Sequence, residues 1–163
     1  MTRLARLIPI LALLIAVTAT AACAGTLFKS DHFTTRIVTG WEINKGDDLL
    51  NLTGPDGASS LLVNSDDATG VDLDTFEVVF LKQLQKSEKD FELVSKDRTE
   101  IDGVAAGVWT FTSSLDDGTK IKTRIYSAIK DDTAYNIIMV CLPEQFDSDA
   151  ADLKSMLNSW TWL

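Results

Sequence analysis

From residue 91 to residue 142 the chain alternates between strand-like runs and short polar reversals. The runs cover 91–101, 104–114, 119–129 and 133–142. Asp102-Gly103 is the strongest of the reversals, because a two-residue Asp-Gly loop supplies the positive φ angles of a type I′ hairpin. Asp116-Asp117-Gly118 and Asp131-Asp132 are the other two. Within 119–129, Lys120, Lys122 and Arg124 alternate with Ile121, Thr123 and Ile125, the pattern of a strand with one solvated face. Residues 137–142 are apolar at every position, the pattern of a strand covered on both faces. The four runs together predict an antiparallel meander.

The flanking stretches supply the rest of one domain. Phe33, Thr35 and Ile37 share one phase of a half-buried strand over 33–38, which Gly40-Trp41 ends. Two short apolar runs, 49–53 and 59–64, flank Gly54-Pro55-Asp56-Gly57 and read as a hairpin. Residues 64–74 read as a polar loop whose Asp72 or Asp74 caps the next helix. That helix runs over 73–88, with Leu73, Phe76, Phe80 and Leu84 on one face, an aromatic stripe suited to packing on a sheet. A second helix over 148–160 carries Leu153, Met156, Leu157 and Trp160, and Ser148 or Asp147 would cap it. The four tryptophans, Trp41, Trp109, Trp160 and Trp162, read as partly buried core.

Residues 1–23 do not belong to this pattern. Arg3 and Arg6, the apolar run 7–17 and the small residues 18–22 have the three parts of an export signal, too short and too interrupted by Pro9 for a spanning helix. Thr20-Ala21-Ala22-Cys23 resembles the lipobox of bacterial lipoproteins, which makes Cys23 the expected lipid attachment. Ala19-Thr20-Ala21 is also an A-x-A site for ordinary signal cleavage, which would release a secreted or periplasmic protein. Residues 24–31 read as a short linker, and 32–163 as a single domain.

Charge and chemistry narrow the functions. The net charge is −9, and without Arg3 and Arg6 the chain keeps 13 basic against 24 acidic residues, or −11. Such a surface repels phosphate and excludes binding of nucleic acid by counterion release. The only imidazole is His32, so neither a Ser/His/Asp nor a Cys/His arrangement has a base to work with. One His and one interior Cys cannot close a zinc site. The acidic loop 64–74 fails the spacing of a calcium-binding EF-hand loop, and glycine-rich phosphate loops are absent. Adjacent carboxylates such as Asp66-Asp67, Asp116-Asp117 and Asp131-Asp132 fall at turns, where Asp is favoured for backbone reasons. No catalytic, cofactor-binding or metal residue is assigned. Cys141 is expected to be buried and chemically quiet, and unpaired within the chain if Cys23 is acylated.

The order of elements resembles the Mog1/PsbP-like superfamily, particularly its small bacterial lipoprotein members. The residues that carry the resemblance are Phe33 through Trp41, the helix at 73–88, Thr99-Glu100-Ile101-Asp102-Gly103-Val104-Ala105, Tyr126, Tyr135, and Leu157-Asn158-Ser159-Trp160. The resemblance implies an α+β fold with an antiparallel sheet of about six to seven strands sandwiched between helices, and no inherited catalytic residue. It also implies a non-catalytic accessory role. The expectation is an exported, monomeric envelope protein, anchored to the membrane through Cys23, that binds a protein partner or small ligand through the sheet edge or a groove between helix and sheet. The alternatives are a photosystem-accessory role of the PsbP kind and an enzyme with a shallow carboxylate site.

Overall fold

The computed structural model describes residues 25–163. Its main body is a seven-stranded antiparallel sheet in the order β3-β4-β5-β9-β8-β7-β6. The strands are β3 (Glu42–Ile43), β4 (Leu50–Thr53), β5 (Ser60–Asp67), β6 (Lys89–Ile101), β7 (Val104–Ser114), β8 (Lys120–Lys130) and β9 (Thr133–Cys141). A second sheet of three strands has β2 (Phe33–Val38) between β1 (Gly25–Lys29) and β10 (Thr161–Trp162). Two helices complete the fold, α1 (Leu73–Ser87) and α2 (Phe146–Asn158). This is the α+β architecture that the resemblance implies, with the sheet held between helical layers.

The meander β6–β9 forms because its turns demand nothing the residues resist. Asp102 and Gly103 have φ of 46° and 77°, as a type I′ turn requires, and Ile101 pairs with Val104. Asp131 and Asp132 reach the same left-handed region, at φ of 51° and 59°, without a glycine. Asp tolerates that region better than most residues because its short polar side chain bonds locally.

Alternation along the strands sends side chains to two separate cores. Ile137 and Met139 of β9 face the larger core, with Leu52, Leu61 and Val63 from the sheet, Leu153 and Met156 from α2, and Phe33 and Ile37 from β2. The Phe33 ring stacks on Trp160 at 3.9 Å, and Thr35 Oγ1 donates to the Met156 carbonyl at 2.7 Å, so β2 lies directly on the end of α2. The other face carries Trp109, Phe111 and Ile125 beneath Phe80 and Leu84 of α1. All four tryptophans are buried.

The structure departs from the sequence reading at several stretches, among them Glu42–Ile43 and Thr161–Trp162, which form the short strands β3 and β10. Residues 25–29, read as part of a linker, form β1, which pairs with β2 from Gly25↔Val38 to Lys29↔Thr34. Residues 64–67, read as loop, extend β5, because β9 offers them a partner strand as far as Asp67↔Thr133 and Asn136 Nδ2 donates to Asn64 Oδ1 at 3.2 Å. Helix α2 starts at Phe146 with Gln145 as its N-cap and no capping side chain. Phe146 is buried there, and Asp149 of the first turn accepts from Ser59 Oγ at 2.5 Å, so tertiary contacts set where the helix starts.

Candidate functional site

Helix α1 is capped by Asp72, whose carboxylate accepts from Thr75 N at 2.7 Å, a hydrogen bond that holds this carboxyl below its ordinary pKa. Its first half is clamped to the sheet by Glu77, which is only 1% exposed. Lys96 Nζ lies 2.9 Å from Glu77 Oε2, Arg98 Nη1 lies 2.8 Å from Oε1, and Arg98 Nη2 donates to Oε2 at 3.0 Å. Arg98 also pairs with Asp74. The carboxylate fits because residue 107 is glycine: a Cβ there would stand 2.0 Å from Glu77 Oε1.

Beyond that clamp, α1 packs across β6, β7 and β8. Phe80 meets Trp109 with ring centroids 5.5 Å apart, and Glu88, just past the helix, accepts from Ser113 Oγ at 3.0 Å. The outer face of β9 is left partly open. Ile138 and Val140 are half-buried, where an unbroken apolar run predicts full cover on both faces. The result is a groove of about 360 Å³. Phe80 and Leu84 form its helical wall, and Phe111, Leu115, Ile121, Ile125, Ile138 and Val140 form its floor and rim. Glu88 and Thr123 are its polar members. The volume is at the lower end of the range for ligand pockets, about 300–1,000 Å³, and the lining offers hydrocarbon rather than reactive groups.

The remaining candidates fall elsewhere. His32 stands just before β2 with Nδ1 3.2 Å from Tyr135 Oη, in the lining of an open hollow of about 570 Å³ of mixed polar and apolar character that includes Phe28, Lys29, Ser30 and Asp31. Cys141 sits six positions further along β9 than Tyr135, about 20 Å at the ordinary strand rise, so imidazole and thiol are not brought together. Cys141 is buried, and burial, reinforced by the Asp149 carboxylate, pushes its thiol pKa up to about 12. Asp67 and Asp117 cap their own turns, Asp67 accepting from Thr69 Oγ1 at 2.7 Å and Thr69 N at 2.9 Å and Asp117 from Thr119 N at 2.9 Å, and these bonds lower both carboxyl pKa values. Lowered values are opposite to what a general acid needs. Among the described residues no three His, Cys, Asp or Glu side chains are placed to hold a metal ion.

One basic stretch departs from expectation. Lys122 and Arg124 do not lie on an open face of β8 but are half-buried on the α2 side, 4.0 and 4.7 Å from the centroid of the Phe146 ring. Arg124 Nε also donates to Thr110 Oγ1 at 3.1 Å. The face of β8 that carries Thr123, Ile125 and Ser127 is the one buried toward α1. Sequence periodicity separates the two faces of β8 correctly, but the face it leaves to solvent is partly covered by Phe146 of α2. Glu77 leaves only a faint trace in the sequence, an acidic residue beside the apolar stripe of α1. Cys23 lies outside the described residues, and no helix among those described is long and apolar enough to cross a membrane.

No family model and no curated protein sequence matches the chain. Solved structures do. Cyanobacterial PsbP (CyanoP) from Synechocystis superposes with a TM-score of 0.66 at 8% identity, over 92% of this chain and 99% of its own. LpqN, involved in cell envelope biogenesis of Mycobacterium tuberculosis, gives 0.61 at 9% identity over 87% of each chain. The Pseudomonas aeruginosa protein PA94 gives 0.56 at 16% identity, over 82% of this chain and 94% of its own. At these identities the likeness is one of fold. Matching nearly the whole of CyanoP, the chain has the PsbP-like α+β fold.

Proposed function

We propose that this chain is a non-catalytic accessory protein of the cell envelope, anchored through acyl groups on Cys23, that binds a small apolar ligand in the groove between α1 and the sheet. The groove carries this reading. A monomeric domain ordinarily covers a central strand, yet here Ile138 and Val140 of β9 stay half-buried in an apolar hollow. The leader and Cys23 support an envelope setting, as does the likeness in fold to LpqN, itself described as involved in cell envelope biogenesis. A protein strand adding to the edge of β6 is the competing mode. That edge is broken by two register shifts and studded with charges, devices that discourage strand addition.

Two measurements test the proposal. Mass spectrometry of protein extracted from the membrane is expected to show acylated Cys23 as the mature N-terminus; a chain starting at Ala22 would refute the anchor. Titration with 1-anilinonaphthalene-8-sulfonate is expected to show one saturable site that Val140→Trp, which fills the groove, weakens at least tenfold. Equal binding by both proteins would refute the groove.

A further inference from the structure

The groove and the N-terminus of the domain share one end of the seven-stranded sheet. Strand register defines that end: Ser114 pairs with Lys120 and with Lys89, Lys122 pairs with Cys141, and Ser60 pairs with Val140 and Thr53. Leu115, Ile121 and Val140 of the groove lie there, with Glu88 at the exit of α1. Leu115 is 46% exposed, an apolar side chain standing open at the groove's rim.

The first strand reaches the same end. Gly25 pairs with Val38, and the turn that follows places Gly40 against the β4–β5 turn, where a Cβ at Gly40 would stand 3.2 Å from Pro55 Cγ. Glu42, two residues on, pairs with Thr53. Two peptide units separate Gly25 from Cys23, a reach of about 7 Å. A chain acylated at Cys23 therefore has almost no tether, and the strand ends nearest Gly25 must face the bilayer.

We infer that the ligand of the groove is a single acyl chain of a membrane lipid, taken up from the bilayer that this end of the sheet faces. The inference rests on the groove reading above. An acyl chain fits the chemistry because the lining is aliphatic and aromatic apart from Glu88 and Thr123, leaving little to recognise a polar headgroup. A flexible chain entering beside Leu115 keeps its headgroup in the interfacial layer and loses no hydrogen bonds on entry.

The test uses the acylated full protein reconstituted in phosphatidylcholine vesicles. An environment-sensitive fluorophore on Leu115→Cys is expected to be quenched by nitroxide-labelled lipid at least fivefold more than the same fluorophore on Asp132→Cys, at the opposite end of the sheet. Equal quenching overturns the orientation. Pyrene-labelled phosphatidylcholine is expected to load the wild type and to load Leu115→Arg, altered at an exposed position, at least tenfold less. Saturated fatty acids offered to the Cys23→Ser protein in solution are expected to gain about tenfold in affinity per two methylenes until the groove is full; a flat series overturns the acyl assignment. Fatty-acid binding without loading from vesicles leaves the groove reading intact and refutes the bilayer as source. Failure of both refutes the groove itself.

Discussion

Glu77 and Gly107 form a pair in which each residue explains the other. A buried carboxylate is tolerated only when its charge is answered, and Lys96 and Arg98 answer it from the neighbouring strand. Gly107→Ala would drive a methyl group into the carboxylate, so thermal or denaturant unfolding is expected to show a loss of about 1–3 kcal/mol, typical of overpacking. In Glu77→Ala the added Cβ has room, and Gly107→Ala in that background is expected to cost far less. Additive losses would show that the contact does not govern the position. Cys141 allows a second check. Its folded pKa, about 12, stands above the ordinary 9.0, so the native protein holds the proton that the unfolded chain gives up. Its contribution is complete below pH 9 and is lost as pH rises toward 12. The native thiol is expected to resist alkylation at pH 8, and unfolding in denaturant to expose it; prompt native labelling would contradict its burial.

The strands and helices follow local rules to different extents. Strand β7 runs from Val104 to Ser114 as its periodicity predicts, because Asp-Gly and Asp-Asp-Gly turns bracket it. The β8–β9 turn achieves the same geometry with two aspartates at positive φ, a conformation unfavourable for residues with a Cβ. Asp132→Gly is therefore expected to stabilise the protein by about 0.5–1 kcal/mol, read as a higher denaturation midpoint; a lower midpoint would show that Asp132 contributes a bond that outweighs its strain. Helix α1 starts one residue past its Asp72 cap, as the sequence predicts. Helix α2 starts earlier than its Ser148 and Asp147 signals because Phe146 and Asp149 are drawn into the larger core. A cap is a local bargain, and a buried aromatic overrides it.

At the level of the assembled domain, the chain end closes the structure. Trp162 lies against Phe33 and Tyr135 and donates from its indole nitrogen to the Ile101 carbonyl at 2.8 Å, tying the three-stranded sheet to the β6–β7 turn. Trp162→Ala is expected to cost about 3–5 kcal/mol, the range for an aromatic truncated in a core, while unfolding stays a single transition. A two-step melt would show that the two sheets are independent units.

Periodicity and turn chemistry could be read along the chain because each depends on neighbours a few positions apart. They yield the meander, both helices and the buried tryptophans. The strand at 25–29, the extension of β5 to Asp67, the Glu77 clamp and the groove depend on which strands become neighbours and how far α1 reaches across them. Residues 137–142 announce burial on both faces; only the placement of α1 leaves Ile138 and Val140 short of it, and that shortfall, set by contacts between elements far apart in sequence, is where the candidate site lies.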